Sequence, residues 1–178
     1  MFEQIGNGFL GFFLVIGHWL SPGTDKPAID VANARRTEAG LVVQCELRPA
    51  WNEELSGLVD GGIPLRFKFC ASGNSGDTIC FVRTLQFDVA DYSYSYADSS
   101  VCGPPVDPPP TPKKYPQVLL ALRDYCRWSF VVSGETSVCR IEAELLPSHA
   151  TRLNRTVDMS AVWGQRKVVK VVEVGVRR

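Results

Sequence analysis

Apolar and polar residues alternate along much of the chain, and the alternation breaks at turn-forming residues. In residues 41–48, Val43, Cys45 and Leu47 fall on one side and Gln44, Glu46 and Arg48 on the other, the period of a half-buried strand. An earlier strand over 29–36 reaches it through the turn Glu38-Ala39-Gly40. Residues 63–71 repeat the pattern with Leu65, Phe67 and Phe69 inward. Residues 78–89 do so with Ile79, Phe81, Leu85, Phe87 and Val89 inward and Arg83 as a charged interruption. Antiparallel pairing of residues whose numbers add to 150 buries both apolar sets together. The same register sets Cys70 beside Cys80 on the outer face. Cross-strand Cβ atoms there stand about 4.5–5.5 Å apart, within reach of a disulfide. A slip by one residue would turn Leu65, Phe67 and Phe69 to water, so the register is set without help from the sulfurs.

Two stretches follow the helical period instead. Residues 51–59 carry Glu53 and Glu54 in the first turn, suited to a helix N-terminus, and Gly61-Gly62 ends them. Residues 116–128 place Pro116 in the first turn and repeat Val118, Leu119, Leu122, Tyr125 and Cys126 at helical spacing. Strands are predicted again over 128–133 and 136–146, the second with Cys139, Ile141, Ala143 and Leu145 inward. One more is expected over 156–163, and a basic, strand-like end over 167–178 reads as edge protection. Tyr92, Tyr94 and Tyr96 recur at the strand period, either to cover a sheet face or to form a ligand-stacking stripe. Seven of the 12 prolines lie between Pro104 and Pro116, which makes about 101–116 a polyproline-like loop. With about eight strands, two helices and no βαβ alternation, the fold class is mainly β: an antiparallel, sandwich-like domain with two short helices at connections.

Composition adds the compartment. The chain has 178 residues, which suggests one domain, taken as 25–178. Ahead of it, the apolar run from Gly8 to Leu20 is shorter than the about 20 residues of a bilayer span. Residues 1–24 read as a signal peptide or an uncleaved membrane anchor, although no Lys or Arg precedes the run and Glu3 is acidic. Six cysteines, none in a Cys-x-x-Cys pair, suit an exported, disulfide-bearing domain. Cys102 and Cys126 flank the proline-rich loop and are candidates for a second bridge. Cys45 and Cys139 point inward, either paired or as buried thiols.

Chemistry is sparse. Net charge is zero, which favours neither nucleic acid nor an anionic membrane surface; a membrane enters only through residues 1–24 if they are uncleaved. Two histidines and the cysteine spacing support no zinc site, and no cofactor motif is present. His149 follows Ser148 in a predicted loop, and Glu142 and Glu144 share a strand face with Arg140; the first pair is no triad, and the second reads as a solvated charged face. Asn154-Arg155-Thr156 matches a glycosylation sequon that matters only in a eukaryotic secretory host. No residue is therefore assigned to catalysis or to a metal, and the chain is read as a non-enzyme.

The order of parts in "GLVVQCELRPAWNEELSGLVDGGIPLRFKFC" and "VRTLQFDVADYSYSY" resembles a family of bacterial envelope proteins catalogued as a domain of unknown function. The resemblance rests on Leu55, Leu58, Gly62, Ile63, Pro64, Leu65, Phe67 and Phe69, then Arg83, Leu85, Phe87 and Asp88, and later on Cys139 to Pro147. It covers most of residues 28–165, and the cysteines and the proline-rich loop depart from it. It implies export, to the periplasm or to a membrane anchor facing it, and a β-rich domain, with no activity. The favoured reading is a non-catalytic interaction or assembly module of the envelope with an unidentified protein partner. The alternative is a small-ligand-binding or sensory domain using the Tyr92, Tyr94 and Tyr96 face.

Overall fold

The alternation in residues 41–48 becomes β2 (Gly40–Arg48), whose Leu41, Val43, Cys45 and Leu47 are buried. In the computed structural model the described residues are 26–48, 53–74, 76–102, 113–134, 136–150 and 154–174. The expected export segment and most of the proline-rich loop lie outside them. β2 pairs on one side with β1 (Ala28–Thr37) and on the other with β7 (Arg127–Val132), forming a three-stranded antiparallel sheet. In β7 Trp128, Phe130 and Val132 face the core, while Arg127, Ser129 and Val131 face out.

The larger sheet has six antiparallel strands in the order β11-β8-β3-β4-β5-β6. These are β11 (Lys167–Glu173), β8 (Val138–Leu146), β3 (Leu65–Gly73), β4 (Thr78–Asp88), β5 (Ser93–Cys102) and β6 (Lys113–Tyr115). The β3–β4 register matches the expectation from the sequence, with Leu65 against Leu85, Phe69 against Phe81 and Cys70 against Cys80. Cys70 and Cys80 form a disulfide. They occupy the face opposite Phe69, as predicted, yet that position is not open to water: they are only 9% and 4% exposed.

The two sheets meet in an aromatic core, so the arrangement is sandwich-like. Phe69 lies on Trp128 with ring centroids 4.2 Å apart, and Phe81 meets Phe130 at 5.6 Å. Leu122, Tyr125 and Cys126 of the segment entering β7 are also buried. Such aromatic contacts add about 0.5–1.5 kcal/mol each beyond area burial.

Three elements depart from the sequence reading. The predicted strand over 156–163 is split into β10 (Arg155–Val157), which pairs with β9 (Ser148–Ala150), and a short helix, Ser160–Trp163. Burial explains the split: the helix carries Trp163 edge-on to Phe67 at 4.8 Å, a contact within the core. With α1 (Glu53–Asp60) and α2 (Val118–Tyr125), that helix, α3, makes three rather than two. Helix α2 ends at Tyr125 rather than near 128, because Trp128 is needed on β7 opposite Cys45. Finally, the loop boundary contracts at both ends. Val101 and Cys102 complete β5, and residues 113–115 form β6 along Tyr94 to Tyr96.

Candidate functional site

The charged interruption of β4 organises its surroundings. Strand alternation places Arg83 on the core face beside Phe81 and Leu85, where it is 7% exposed. A buried guanidinium is tolerated only when its N–H groups find acceptors. Arg83 Nε and Nη2 donate to the two carboxylate oxygens of Asp98 on β5, both at 2.7 Å. Nη1 donates to the backbone oxygens of Tyr125 at 2.9 Å and Arg127 at 2.7 Å. Its carbon lies 4.7 Å from the Tyr96 ring centre and 5.4 Å from that of Phe81. Burial works to lower the Arg83 pKa, but the hydrogen bonds and charge of Asp98 outweigh it and the net shift is upward. Arg83 thus ties the larger sheet to the point where α2 gives way to β7. Tyr125 reinforces that junction, with its hydroxyl 2.9 Å from the Arg83 carbonyl oxygen and 3.1 Å from that of Leu65.

Among the described residues β7 pairs with β2 alone, and no strand lies along its other edge. Leu47 N–H donates to the Cys126 carbonyl at 3.1 Å, which makes Leu47 and Cys126 a hydrogen-bonded pair. Such pairs alternate along an antiparallel ladder. Hence Trp128 and Phe130 turn their peptide groups toward β2, while Arg127, Ser129 and Val131 turn theirs to the open side. The Arg127 carbonyl already accepts from Arg83 there.

A cleft of about 850 Å³ is lined by every residue of β7 from Arg127 to Val131 and reaches Ala32 on β1. Phe81, Ile79 and the Arg83–Asp98 pair form the wall contributed by the larger sheet, and Gln44, Cys45 and Glu46 contribute from β2. The volume falls within the about 300–1,000 Å³ range of ligand pockets. Trp128 is 5% exposed and its indole N–H finds no acceptor among the described residues. At the rim, Glu46 lies 2.8 Å from Arg48 and 3.5 Å from Arg127; the Arg48 hydrogen bond holds its carboxyl below the usual range.

The residues singled out from sequence fall elsewhere. Tyr92 lies before β5 with φ 51° and is 75% exposed, off the line of the other two. Tyr94 and Tyr96 pack against the core; the Tyr94 hydroxyl donates to Asp60 at 2.7 Å, and Tyr96 stacks on Tyr115 at 6.0 Å. Burial, followed by Asp60, pushes the Tyr94 hydroxyl up to about 12. Tyr92 and Tyr94 both meet Phe87, at 6.3 and 4.9 Å, so Tyr92 is the open member of the three and Tyr94 and Tyr96 are half-buried.

Cys102 and Cys126 are not paired: both are free thiols. Cys102 stands opposite Cys80 on the outer side of the larger sheet, whereas Cys126 belongs to the core. The sheet separates them. Cys45 and Cys139 are also free and buried. Glu142 is held by Arg140 at 2.8 Å and Lys167 at 2.5 Å, and Glu144 by Arg166 at 3.4 Å, so the two carboxylates serve as ion-pair partners. His149 on β9 is exposed beside a buried Ser148.

Among the described residues no cluster of metal-ligating side chains occurs, and no helix is long and apolar enough to cross a membrane. The site residues that sequence reading missed are Asp98, Trp128 and the β7 edge. Only Arg83, a cation on an apolar strand face, signalled that a buried acceptor had to exist.

Among the described residues the fold and cleft are those of a β-sandwich-like domain whose edge strand β7 lines an aromatic-walled groove. Comparison with protein-family models, curated proteins and solved structures finds no match to this chain.

Proposed function

We propose that the protein is a non-catalytic interaction module that binds an extended polypeptide segment by strand addition at β7. The observation that carries this reading is that β7 lines the cleft from Arg127 to Val131 while the peptide groups of Ser129 and Val131 turn away from β2. An incoming strand takes up those groups as a fourth ladder partner of the smaller sheet, and its alternate side chains face Phe81, Phe130 and Trp128. Export to the bacterial envelope, as the apolar run over 8–20 and the resemblance imply, is part of the same proposal; the Cys70–Cys80 disulfide supports an oxidising compartment.

Peptides selected from a random library against the whole domain test it. Expected is binding that shifts the amide resonances of Ser129 and Val131 and the Trp128 indole proton. Ser129→Pro, which removes an edge N–H without touching the β2 ladder, should weaken binding at least about tenfold, the equivalent of about 1.4 kcal/mol. Selected peptides that bind Ser129→Pro undiminished, or whose shifts map to Tyr92, Tyr94 and Tyr96, would overturn the assignment.

A further inference from the structure

On the face of the larger sheet turned away from the core, three cysteines stand in one row across three adjacent strands. Cys70 on β3 is opposite Cys80 on β4, and Cys80 is opposite Cys102 on β5. The first two are bonded, with Cα atoms 4.3 Å apart, and Cys102 is a half-buried free thiol. The third position is not a consequence of simple alternation. Phe81 pairs with Ser100, so an unbroken ladder would bring Val101 opposite Cys80. A register shift at that point inserts one extra residue and brings Cys102 there instead. A bulge of this kind re-aims a side chain, and directly paired residues share a sheet face.

We propose that Cys70, Cys80 and Cys102 form a thiol–disulfide exchange site whose substrate is the protein's own disulfide. The Cys102 thiolate attacks the Cys80 sulfur. The Cys80–Cys102 bond forms as the Cys70–Cys80 bond breaks, and the leaving Cys70 thiolate takes a proton equivalent to the one Cys102 released. No net electron or proton is consumed, and no oxidant is required. Exchange proceeds through attack of a thiolate along the line of the bond it cleaves. A row running straight across the strands supplies that alignment, with Cys102 and Cys70 on opposite sides of Cys80. Cys70 and Cys102 themselves lie two strand spacings apart, about 9–10 Å, beyond the roughly 7 Å limit for a bridge. Cys80 is therefore the shared sulfur in both isomers. The exchange moves the free thiol between the interior strand β3 and the end of β5, where the proline-rich segment begins.

The test uses the full chain with its disulfide intact. The protein is held at pH 8, quenched in acid, blocked with N-ethylmaleimide and mapped without reduction. Both Cys70–Cys80 and Cys80–Cys102 linked peptides are expected, with the blocking group on Cys102 in the first isomer and on Cys70 in the second. Their interconversion should accelerate as pH rises, because the thiolate is the nucleophile. Blocking group on Cys102 alone at every time and pH would overturn the proposal. Two variants extend the test to connectivity. Cys70→Ser should yield the Cys80–Cys102 bridge after equilibration with glutathione redox buffer, and Cys80→Ser should yield no bridge between Cys70 and Cys102. A Cys70–Cys102 bridge in the latter, or free Cys80 and Cys102 in a folded Cys70→Ser protein, contradicts the row.

Discussion

Arg83 shows how one residue can dictate its neighbours. Its side chain is placed in the core by strand alternation alone, and every acceptor around it follows from that burial. Asp98 takes two of its donors, and two backbone carbonyls take others. Removing one partner of a buried, hydrogen-bonded ion pair strands the other, which costs about 3–5 kcal/mol. Asp98→Ala is therefore expected to lower stability by about that amount, read as a shift in the urea midpoint. The double variant Arg83→Met/Asp98→Ala should lose less than the sum of the two single changes, since the stranded charge is gone. Additive losses in that cycle would show that the pair is not coupled and that Arg83 acts through its carbonyl contacts and ring packing.

At the scale of elements, β2 is where three strands are brought into one sheet. Gly40 opens it with φ +129°, and a Cβ there would lie 2.3 Å from the Val132 carbonyl oxygen of β7. Both the backbone angle and the close approach require glycine. Gly40→Ala is expected to cost about 2 kcal/mol or more, since a strained backbone position alone accounts for about 1–3 kcal/mol. Loss of amide exchange protection should concentrate at Leu41 and Val132, the first rungs of the β2–β7 ladder. Protection lost only within the β1–β2 turn would place the constraint in the turn, and not in the approach of β7.

For the molecule as a whole, the interior between the two sheets sets the alkaline limit. Cys45 on the smaller sheet and Cys139 on the larger are both buried. Burial, followed by the influence of Cys139, pushes the Cys45 thiol from its ordinary 9.0 up to about 12. Between those values the unfolded chain releases a proton that the folded one retains. Stability is then complete below pH 9 and declines as pH rises toward 12, by at most about 1.4 kcal/mol per pH unit for one proton. Melting temperatures across pH 8–11 should fall from about pH 9. Cys45→Ala, though less stable throughout, should show a shallower fall. An equal slope in the variant would assign the alkaline loss to other groups, such as the buried tyrosine Tyr125, whose hydroxyl is also raised well above its usual value by burial.

Much of this architecture was legible in the chain itself, wherever the local pattern had a single solution. The β3–β4 register was one such case: only one pairing buries Leu65, Phe67 and Phe69 together with Phe81 and Leu85, and the Cys70–Cys80 bridge comes with it. Residues 156–163 had two solutions, strand or helix, and the choice fell to the contact between Trp163 and Phe67, ninety-six positions apart in the chain. The tyrosines shared a period, but Tyr92 stands in a turn conformation that alternation does not encode, its ring edge-on to the Phe87 that Tyr94 also meets. The Arg83–Asp98 pair, the cleft and the cysteine row are of the same kind. Each depends on which strands become neighbours, and in the last case on a one-residue bulge. Side-chain period is a local property of the backbone, and adjacency between strands is settled only when the two sheets close over a common core.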